Sequence, residues 1–324
     1  MLLVIINPIS GKGKSMKIFN SKILRYLNYQ ELDNIYKTTH KEHATEIIST
    51  IDLINITNII LIGGDGLIHE VVQGLIKKDI YNIPIYIVPT GSGNGLAKNL
   101  NINNISDAIK CIMNINKQDK QDNTIAINLL KVTYNTTTKY SFLAQTWSMI
   151  SDIDITTEWL RWIGDLRYYW GILKFLFKNK SVKGKFNYKS EENKENNENK
   201  EDDKMILVEG QFSLFCASNV PWISSDFKML PSAKINNEFI DIIYIMNYTM
   251  TFFEKIWLLY YCLRGEHINK CKFIKYIRTS EYTLTELKSK NTSYIVCDGE
   301  VINNNSIHVK KCDKKLLFKA AEPI

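Results

Sequence analysis

In Ile60-Leu61-Ile62-Gly63-Gly64-Asp65-Gly66-Leu67-Ile68-His69-Glu70 an apolar run meets two glycines, an aspartate and a third glycine. Leu67, Ile68, Val71, Val72 and Leu75 then recur at helical spacing. The pattern predicts a strand, a tight turn and a helix start. Glycine lets the backbone approach a ligand closely. The first turn of a helix offers unpaired N–H groups and a positive dipole end, which suits phosphate. Within the turn, the Asp65 carboxylate can hold Mg²⁺ or accept a proton from an attacking hydroxyl. A turn-capping aspartate is the blander reading, and these residues alone leave both open.

The flanks repeat the pattern. Residues 2–6 read as a buried strand and 15–27 as a helix. A strand near 35–37 precedes a helix carrying Ala44, Ile47, Ile48 and Ile51, and a strand over 83–88 leads to Pro89-Thr90-Gly91-Ser92-Gly93-Asn94-Gly95 and another helix start. This βαβα order predicts an α/β, Rossmann-like domain with a parallel sheet covered on both faces. Ligands bind beyond the carboxyl ends of such strands, so the glycine turns are expected on one rim. From about residue 123 strand-like runs follow at 124–132, 140–146, 205–217, 239–246, 271–279 and 294–297. One long helical region, 155–179, interrupts them. The expected domains are 1–122 and a mainly antiparallel β domain, 123–312, with a helical insert read as a pair. Residues 190–203 lack any apolar side chain, so an insert over 189–204 reads as a disordered surface loop.

A length of 324 residues suggests two domains, and 45% hydrophobic content is ample for packed cores. A net charge of +7 fits nucleotide phosphates or anionic lipid heads, and equally a mildly basic protein. Without a basic arm or zinc-finger spacing, nucleic acid is a poor partner. The six cysteines are scattered, which fits reduced thiols in a cytoplasmic protein. Residues 1–6 are too short for a signal peptide. The longest apolar run, 168–177, is broken by Lys174 and too short to span a bilayer, so any membrane contact is expected to be peripheral.

Two phosphate motifs fail on spacing. Gly13-Lys14-Ser15 ends like a P-loop, but that motif requires glycine where Pro8 stands. A dinucleotide fingerprint from Gly91 would need glycine at Leu96, which disfavours an NAD-dependent dehydrogenase.

Asn7-Pro8-x-Ser10-Gly11-Lys12-Gly13, Gly63-Gly64-Asp65-Gly66-x-x-His69-Glu70 and Pro89-x-Gly91-Ser92-Gly93-Asn94 stand in the order found in the diacylglycerol kinase catalytic-domain superfamily, which the chain resembles. Trp147-x-x-x-x-Asp152-Ile153-Asp154-x-x-x-Glu158-x-x-Arg161-x-x-Gly164-x-x-Arg167 and Asp298-Gly299-Glu300 narrow the resemblance to its sphingosine kinase branch. The resemblance covers nearly the whole chain apart from the acidic insert. It implies a nucleotide domain, a β-rich lipid domain, catalysis in the cleft between them, and a terminal segment, 313–324, that returns to the first domain. It further implies transfer of the ATP γ-phosphate to the primary hydroxyl of a sphingoid base, with Mg²⁺.

The same resemblance assigns roles. Asp65 is the expected general base or Mg²⁺ ligand, with Glu300 as a second catalytic candidate and Asp298 as a metal ligand. Nucleotide candidates are Asn7, Ser10, Gly11, Lys12, Gly13, Thr38, Gly64, Gly66, Glu70, Ser92, Gly93, Asn94, Arg161, Arg167 and Gly299. Glu70 reads equally as a structural residue, and Thr38 as a helix cap. Asp154 is expected to hold the amino and hydroxyl groups of the base, with Glu158, Leu166 and Trp170 also facing substrate. Asp154, Glu158, Arg161 and Asp165 share one helical face, which an exposed ion-pair stripe would also explain. Part of 166–178 is expected to line an acyl channel or dock on membrane, with Lys174, Lys178 and Lys180 near lipid heads. A homodimer is compatible with the sequence.

The chain departs from the family pattern at Ile9, Ser148, Trp159 and Trp162, which bears on substrate preference more than on kinase chemistry. The alternatives are a diacylglycerol or ceramide kinase, an inactive lipid- or nucleotide-binding adaptor, and an NAD kinase. The last suits the apolar insert and Asp154 poorly.

Overall fold

The computed structural model describes residues 1–27, 34–115, 123–157, 166–190, 205–236 and 238–321, with the backbone alone at 166–169. The chain forms two compact units, Met1–Asn128 with Lys314–Ile324, and Leu129–Asp313.

In the first unit β1 (Leu2–Ile6), α1 (Ser15–Ile18), β2 (Ile35–Lys37), α2 (His43–Thr50), β3 (Asn58–Gly63), α3 (Asp65–Lys77), β4 (Ile85–Pro89), α4 (Gly95–Asn99) and α5 (Ile105–Met113) follow in sequence. The strands lie in the order β4-β3-β1-β2, all parallel. Residues 2–6 and 59–62 are buried on both sides of the strand, which explains their unbroken Ile, Leu and Val. Gly74 lets α3 lie against α2; an added Cβ would stand 2.7 Å from Ile48 Cβ.

The helix expected over 15–27 is α1 for one turn only. A π-helical turn, Phe19–Ile23, and a 3-10 turn, Leu24–Tyr26, complete it. Ser15, Phe19, Ile23 and Leu27 are all buried. A strict four-residue repeat is wider than the α period, and the π turn keeps these residues on one side.

The second unit carries β5 (Thr124–Tyr134), β6 (Thr137–Ser141), β7 (Ala144–Ser148), α6 (Met149–Thr156), α7 (Leu166–Phe177), β8 (Val182–Lys189), β9 (Met205–Ser218), β10 (Ile240–Met246), α8 (Phe252–Arg264), α9 (His267–Lys270), β11 (Lys275–Thr279), β12 (Glu281–Glu286), β13 (Ile295–Cys297), β14 (Glu300–Ile302) and β15 (Ser306–Lys319). The division between units falls within β5 and within β15. The antiparallel order is β14-β13-β7-β9-β8-β12-β15, with β10 joining β9 to β11. Trp147, Phe186, Phe212, Phe215, Tyr244 and Tyr282 fill one core. Gly184 makes room for the indole: a Cβ there would stand 2.4 Å from Trp147 Cη2.

The helical insert, expected as a pair over 155–179, starts earlier in the chain. Helix α6 begins at Met149, and α7 is a separate helix packed on it, with Gly171 facing Ile153 and Thr157. Residues 158–165 and 191–204, the latter most of the expected loop, lie outside the described residues. The six cysteines form no disulfide, and five are buried. Burial pushes Cys111 up to about 11 and Cys216 to about 12, which keeps both protonated. Among the described residues no helix is long and apolar enough to cross a membrane.

Candidate active site

Three turns follow the carboxyl ends of β1, β3 and β4, and short contacts lock them together. In the first, the Asn7 N–H donates to Ile62 O at 2.9 Å, and the buried Ser15 hydroxyl donates to Asn7 O at 2.6 Å and Pro8 O at 3.1 Å. Gly11, Lys12 and Gly13 all have positive φ (63°, 58° and 79°). A Cβ on Gly11 would stand 2.9 Å from Thr90 O. Thr90 Oγ1 donates to Ser10 Oγ at 3.1 Å, joining the first turn to the third. Lys12 and Lys14 are exposed on this turn.

The second and third turns meet backbone to backbone. A Cβ on Gly64 would lie 2.9 Å from Gly91 Cα, and one on Gly91 would lie 2.6 Å from Gly64 Cα. Asp65, the first residue of α3, reaches across this contact. Its Oδ2 accepts the Gly95 N–H at 2.9 Å, and its Oδ1 accepts the Leu96 N–H at 3.1 Å. Its carboxylate therefore caps the start of α4, and Gly93 leaves room for it: a Cβ there would be 3.0 Å from Oδ2. Asn94 holds a left-handed conformation and donates from Nδ2 to Gly91 O at 2.6 Å. Its Oδ1 is buried and has no hydrogen-bond partner among the described residues. An orphan acceptor fits a hydroxyl or amino group of a bound nucleotide, whereas a phosphate offers no donor for it.

Other expected residues of this unit have definite places. Both Glu70 oxygens bind the start of α2, accepting the Glu42 N–H at 2.8 Å and the Ala44 N–H at 3.0 Å. This is a helix-capping role. Thr38 donates its N–H to Ile6 O at 2.9 Å, so it lies at the end of β2 beside β1. His43 Nδ1 accepts the Thr39 N–H at 3.0 Å. Gly66 is exposed with open space around it, and Ser92 and Gly93 are half-buried.

In the second unit Asp298 and Gly299 are the two central residues of the β13–β14 hairpin, with φ of 50° and 85°. Positive φ at both positions is what a two-residue hairpin of this type needs. The Asp298 carboxylate turns inward, 3% exposed. Oδ1 accepts the Ser141 hydroxyl at 2.6 Å and the Leu143 and Ala144 N–H groups at 3.0 Å each; Oδ2 accepts the Phe142 N–H at 3.1 Å. Glu300 opens β14 opposite Cys297 and is half-buried. Among the described residues no group of three or more His, Cys, Asp or Glu is arranged to hold a metal ion.

Asp154 lies on α6, half-buried, with Thr157 Oγ1 donating to its carbonyl at 3.3 Å. Its neighbour Asp152 is the residue that enters a cleft of about 460 Å³ between α6 and α7. There it meets Lys180 Nζ at 2.6 Å and accepts the Ser293 hydroxyl at 2.6 Å. Trp170 is exposed. Leu166 and Arg167 lie on α7 with only their backbone described, and Glu158 and Arg161 lie outside the described residues. The sequence reading gave no site role to Ser15, Thr90 or Asp152. Ser15 gives a signal in hindsight, since a buried serine at a helix start after an Asn-Pro turn has carbonyls within reach.

Residues 1–126 match the diacylglycerol kinase catalytic domain. Sphingoid long chain base kinase 4 of Schizosaccharomyces pombe is 26% identical over 328 residues, 92% of this chain and 70% of that protein. Sphingosine kinase 2 of Arabidopsis thaliana is 26% identical over 361 residues, 98% of this chain and 72% of the relative. A Bacillus anthracis str. Sterne protein taken to be a diacylglycerol kinase shares the fold, with a TM-score of 0.72 at 18% identity over 98% of this chain and 94% of that one. An NAD kinase from Archaeoglobus fulgidus, solved in complex with ATP, matches with a TM-score of 0.52 at 12% identity over 99% and 94% of the two chains. The chain resembles the sphingosine kinases, and these kinase relatives support a lipid kinase, an enzyme that transfers a phosphoryl group.

Proposed function

We propose that this lipid kinase transfers the γ-phosphoryl group of ATP to the primary hydroxyl of sphingosine or a related sphingoid base, giving the 1-phosphate. The observation that carries the reading is the Asp65 carboxylate, fixed by the Gly95 and Leu96 N–H groups where the turns after β3 and β4 touch. Each carboxylate oxygen has two lone pairs, so two N–H bonds orient the group without exhausting it. The acceptor hydroxyl oxygen attacks the γ-phosphorus, its proton passes to Asp65, and the bond to ADP breaks as ADP leaves. Such transfer depends on positioning and charge stabilisation more than on covalent help.

The turn after β1 offers Lys12 and Lys14 to the phosphates, and Asn94 Oδ1 offers an acceptor to the nucleoside. Arg161 and Arg167 are proposed phosphate ligands, because a guanidinium presents a rigid fork of donors. Mg²⁺ is expected with ATP and would neutralise phosphate charge when bound. Asp65 fits a contact to it. Asp298 does not: a buried carboxylate already held by four donors suits hairpin architecture better than a cation that keeps its waters. Asp154 is proposed to face the ammonium of the base, a charge-assisted contact of roughly 1.5–3 kcal/mol. Glu158, Leu166 and Trp170 remain proposed substrate neighbours, and Glu300 a proposed supporting carboxylate. The likeness to sphingoid-base kinases over 92–98% of this chain supports this acceptor over diacylglycerol or ceramide. We place the reaction in the cytoplasm at a membrane surface.

The test is a radiolabelled ATP assay against sphingosine, ceramide and diacylglycerol. Sphingosine is expected to be phosphorylated far faster than either neutral lipid. Equal turnover of diacylglycerol would overturn the acceptor assignment, and sphingosine binding without turnover would favour an adaptor.

A further inference from the structure

We propose that Asp152 is a positioning residue for the acceptor lipid: its carboxylate clamps α6 and so sets the direction in which Asp154 meets the ammonium of the base. The inference rests on the proposed role of Asp154 and adds what aims it. Helix α6 has only eight residues. A helix that short does not hold itself in water, so its neighbours fix its orientation. It leaves β7 through Ser148, whose φ of 68° and ψ of −127° belong to a region that glycine favours. Such a joint persists only where its surroundings over-determine it. Here the buried Ser148 hydroxyl donates to Phe212 O at 3.0 Å, and Ser148 O accepts the Ser151 hydroxyl at 2.9 Å.

Asp152 ties the first turn of α6 to the sheet. The Ser293 hydroxyl has a single proton, and the charged Oδ1 of Asp152 at 2.6 Å takes it in preference to Ser148 O at 3.3 Å. Ser293 is itself anchored. Its N–H donates to Glu286 Oε2 at 3.2 Å, and the same oxygen accepts the buried Trp147 indole N–H at 2.7 Å. Lys180, between α7 and β8, brings its ammonium to Asp152 Oδ2 at 2.6 Å. The clamp thus joins α6 to β7, to β12 and to the approach to β8. Two considerations divide the roles of the two aspartates. At 3.6 residues per turn, Asp152 and Asp154 face about 200° apart around the helix, so a clamp on one side fixes where the other side looks. Asp152 also already holds one ammonium, that of Lys180, which repels a second. The ammonium of the base is therefore left to Asp154.

The experiment joins steady-state kinetics of the whole chain on sphingosine to a double-mutant cycle. Asp152→Asn keeps an acceptor for Ser293 but breaks the ion pair. It should raise the KM for sphingosine ~10-fold or more and leave the KM for ATP unchanged. Lys180→Met should act in the same direction, and Lys180→Arg should behave as wild type. In an Asp154→Asn background, Asp152→Asn should cost nothing further, because no carboxylate is left to aim. A merely structural Asp152 would lower activity equally in both backgrounds. Hydrogen exchange of the α6 amides, read without any lipid, should quicken ~10-fold or more in Asp152→Asn. The clamp is overturned if exchange in α6 is unchanged or if the two aspartate substitutions add. It is equally overturned if Lys180→Met lowers the KM for sphingosine, which would make Asp152 the ammonium ligand. Absence of sphingosine turnover by the wild type would sink the kinase reading and the aiming role together, whereas the exchange result reports on the clamp alone.

Discussion

The ammonium of Lys255 on α8 donates to the carbonyl of Phe175 on α7 at 2.9 Å. The same cation reaches Leu176 O at 3.1 Å and Lys178 O at 2.9 Å. A helix ends with carbonyls that have no partner inside it, and a cation there also meets the negative end of the dipole. Lys255 is 2% exposed and burial lowers its pKa, so the site accepts a desolvated charge in exchange for joining two helices. Lys255→Met keeps the stem but strands the carbonyls. We expect a loss of about 2–3 kcal/mol, read from urea unfolding.

Asp65 is asked to cap a helix and to take a proton, and one substitution separates the two. Asp65→Asn keeps an acceptor for one N–H but is a poor base. Turnover should fall ~10²–10⁴-fold while the melting temperature changes little. A variant that melts early yet turns over normally would reduce Asp65 to a cap.

Asp298→Ala removes the acceptor for three N–H groups and a hydroxyl in a buried hairpin. Stranding them should cost about 3 kcal/mol or more, read as early thermal unfolding. Asp298→Asn should cost less, since asparagine tolerates positive φ and keeps one oxygen.

Gly184→Ala drives a methyl into the Trp147 ring and towards Thr285 O, 2.9 Å away. Both neighbours are held, because the indole N–H donates to Glu286 at 2.7 Å. We expect about 1–3 kcal/mol of destabilisation and a perturbed tryptophan emission spectrum.

His267 is fully buried with Nε2 2.8 Å from Met229 O, and burial lowers its pKa below the ordinary 6.5. The unfolded chain therefore takes up a proton at a higher pH than the folded one. Stability tied to this group is intact above about 6.5 and falls as pH drops from there towards the folded-state value. His267→Gln should flatten that part of the stability profile measured between neutral and mildly acidic pH.

The first unit was legible in the sequence because glycines and prolines punctuate it and its strands are unbroken apolar runs. The second unit was read less fully. Strand β8 hides its alternation, Val182, Gly184 and Phe186, among lysines, and β15 carries charge along most of its length. Helix α8 was overlooked although Thr251-x-x-Glu254 is a capping box and Gly265 ends the helix with positive φ. Its outward aromatics blur the amphipathic period that marks a surface helix. The glycine turns were named from sequence, but the partners of Asp65, Glu70 and Asp298 include backbone N–H groups far along the chain, and no residue spacing encodes them.

The end of β15 gives the first unit an unusual order of assembly. Phe318 pairs beside Ile85 in the sheet, the Ala320 N–H meets Asn123 O, and the Ala321 N–H meets Leu100 O. A ribosome delivers these residues only after the entire second unit has been made. The nascent first unit must therefore wait, one sheet edge open, until the second unit has been translated. A stop codon shortly before Leu316 would harm the part of the protein synthesised first.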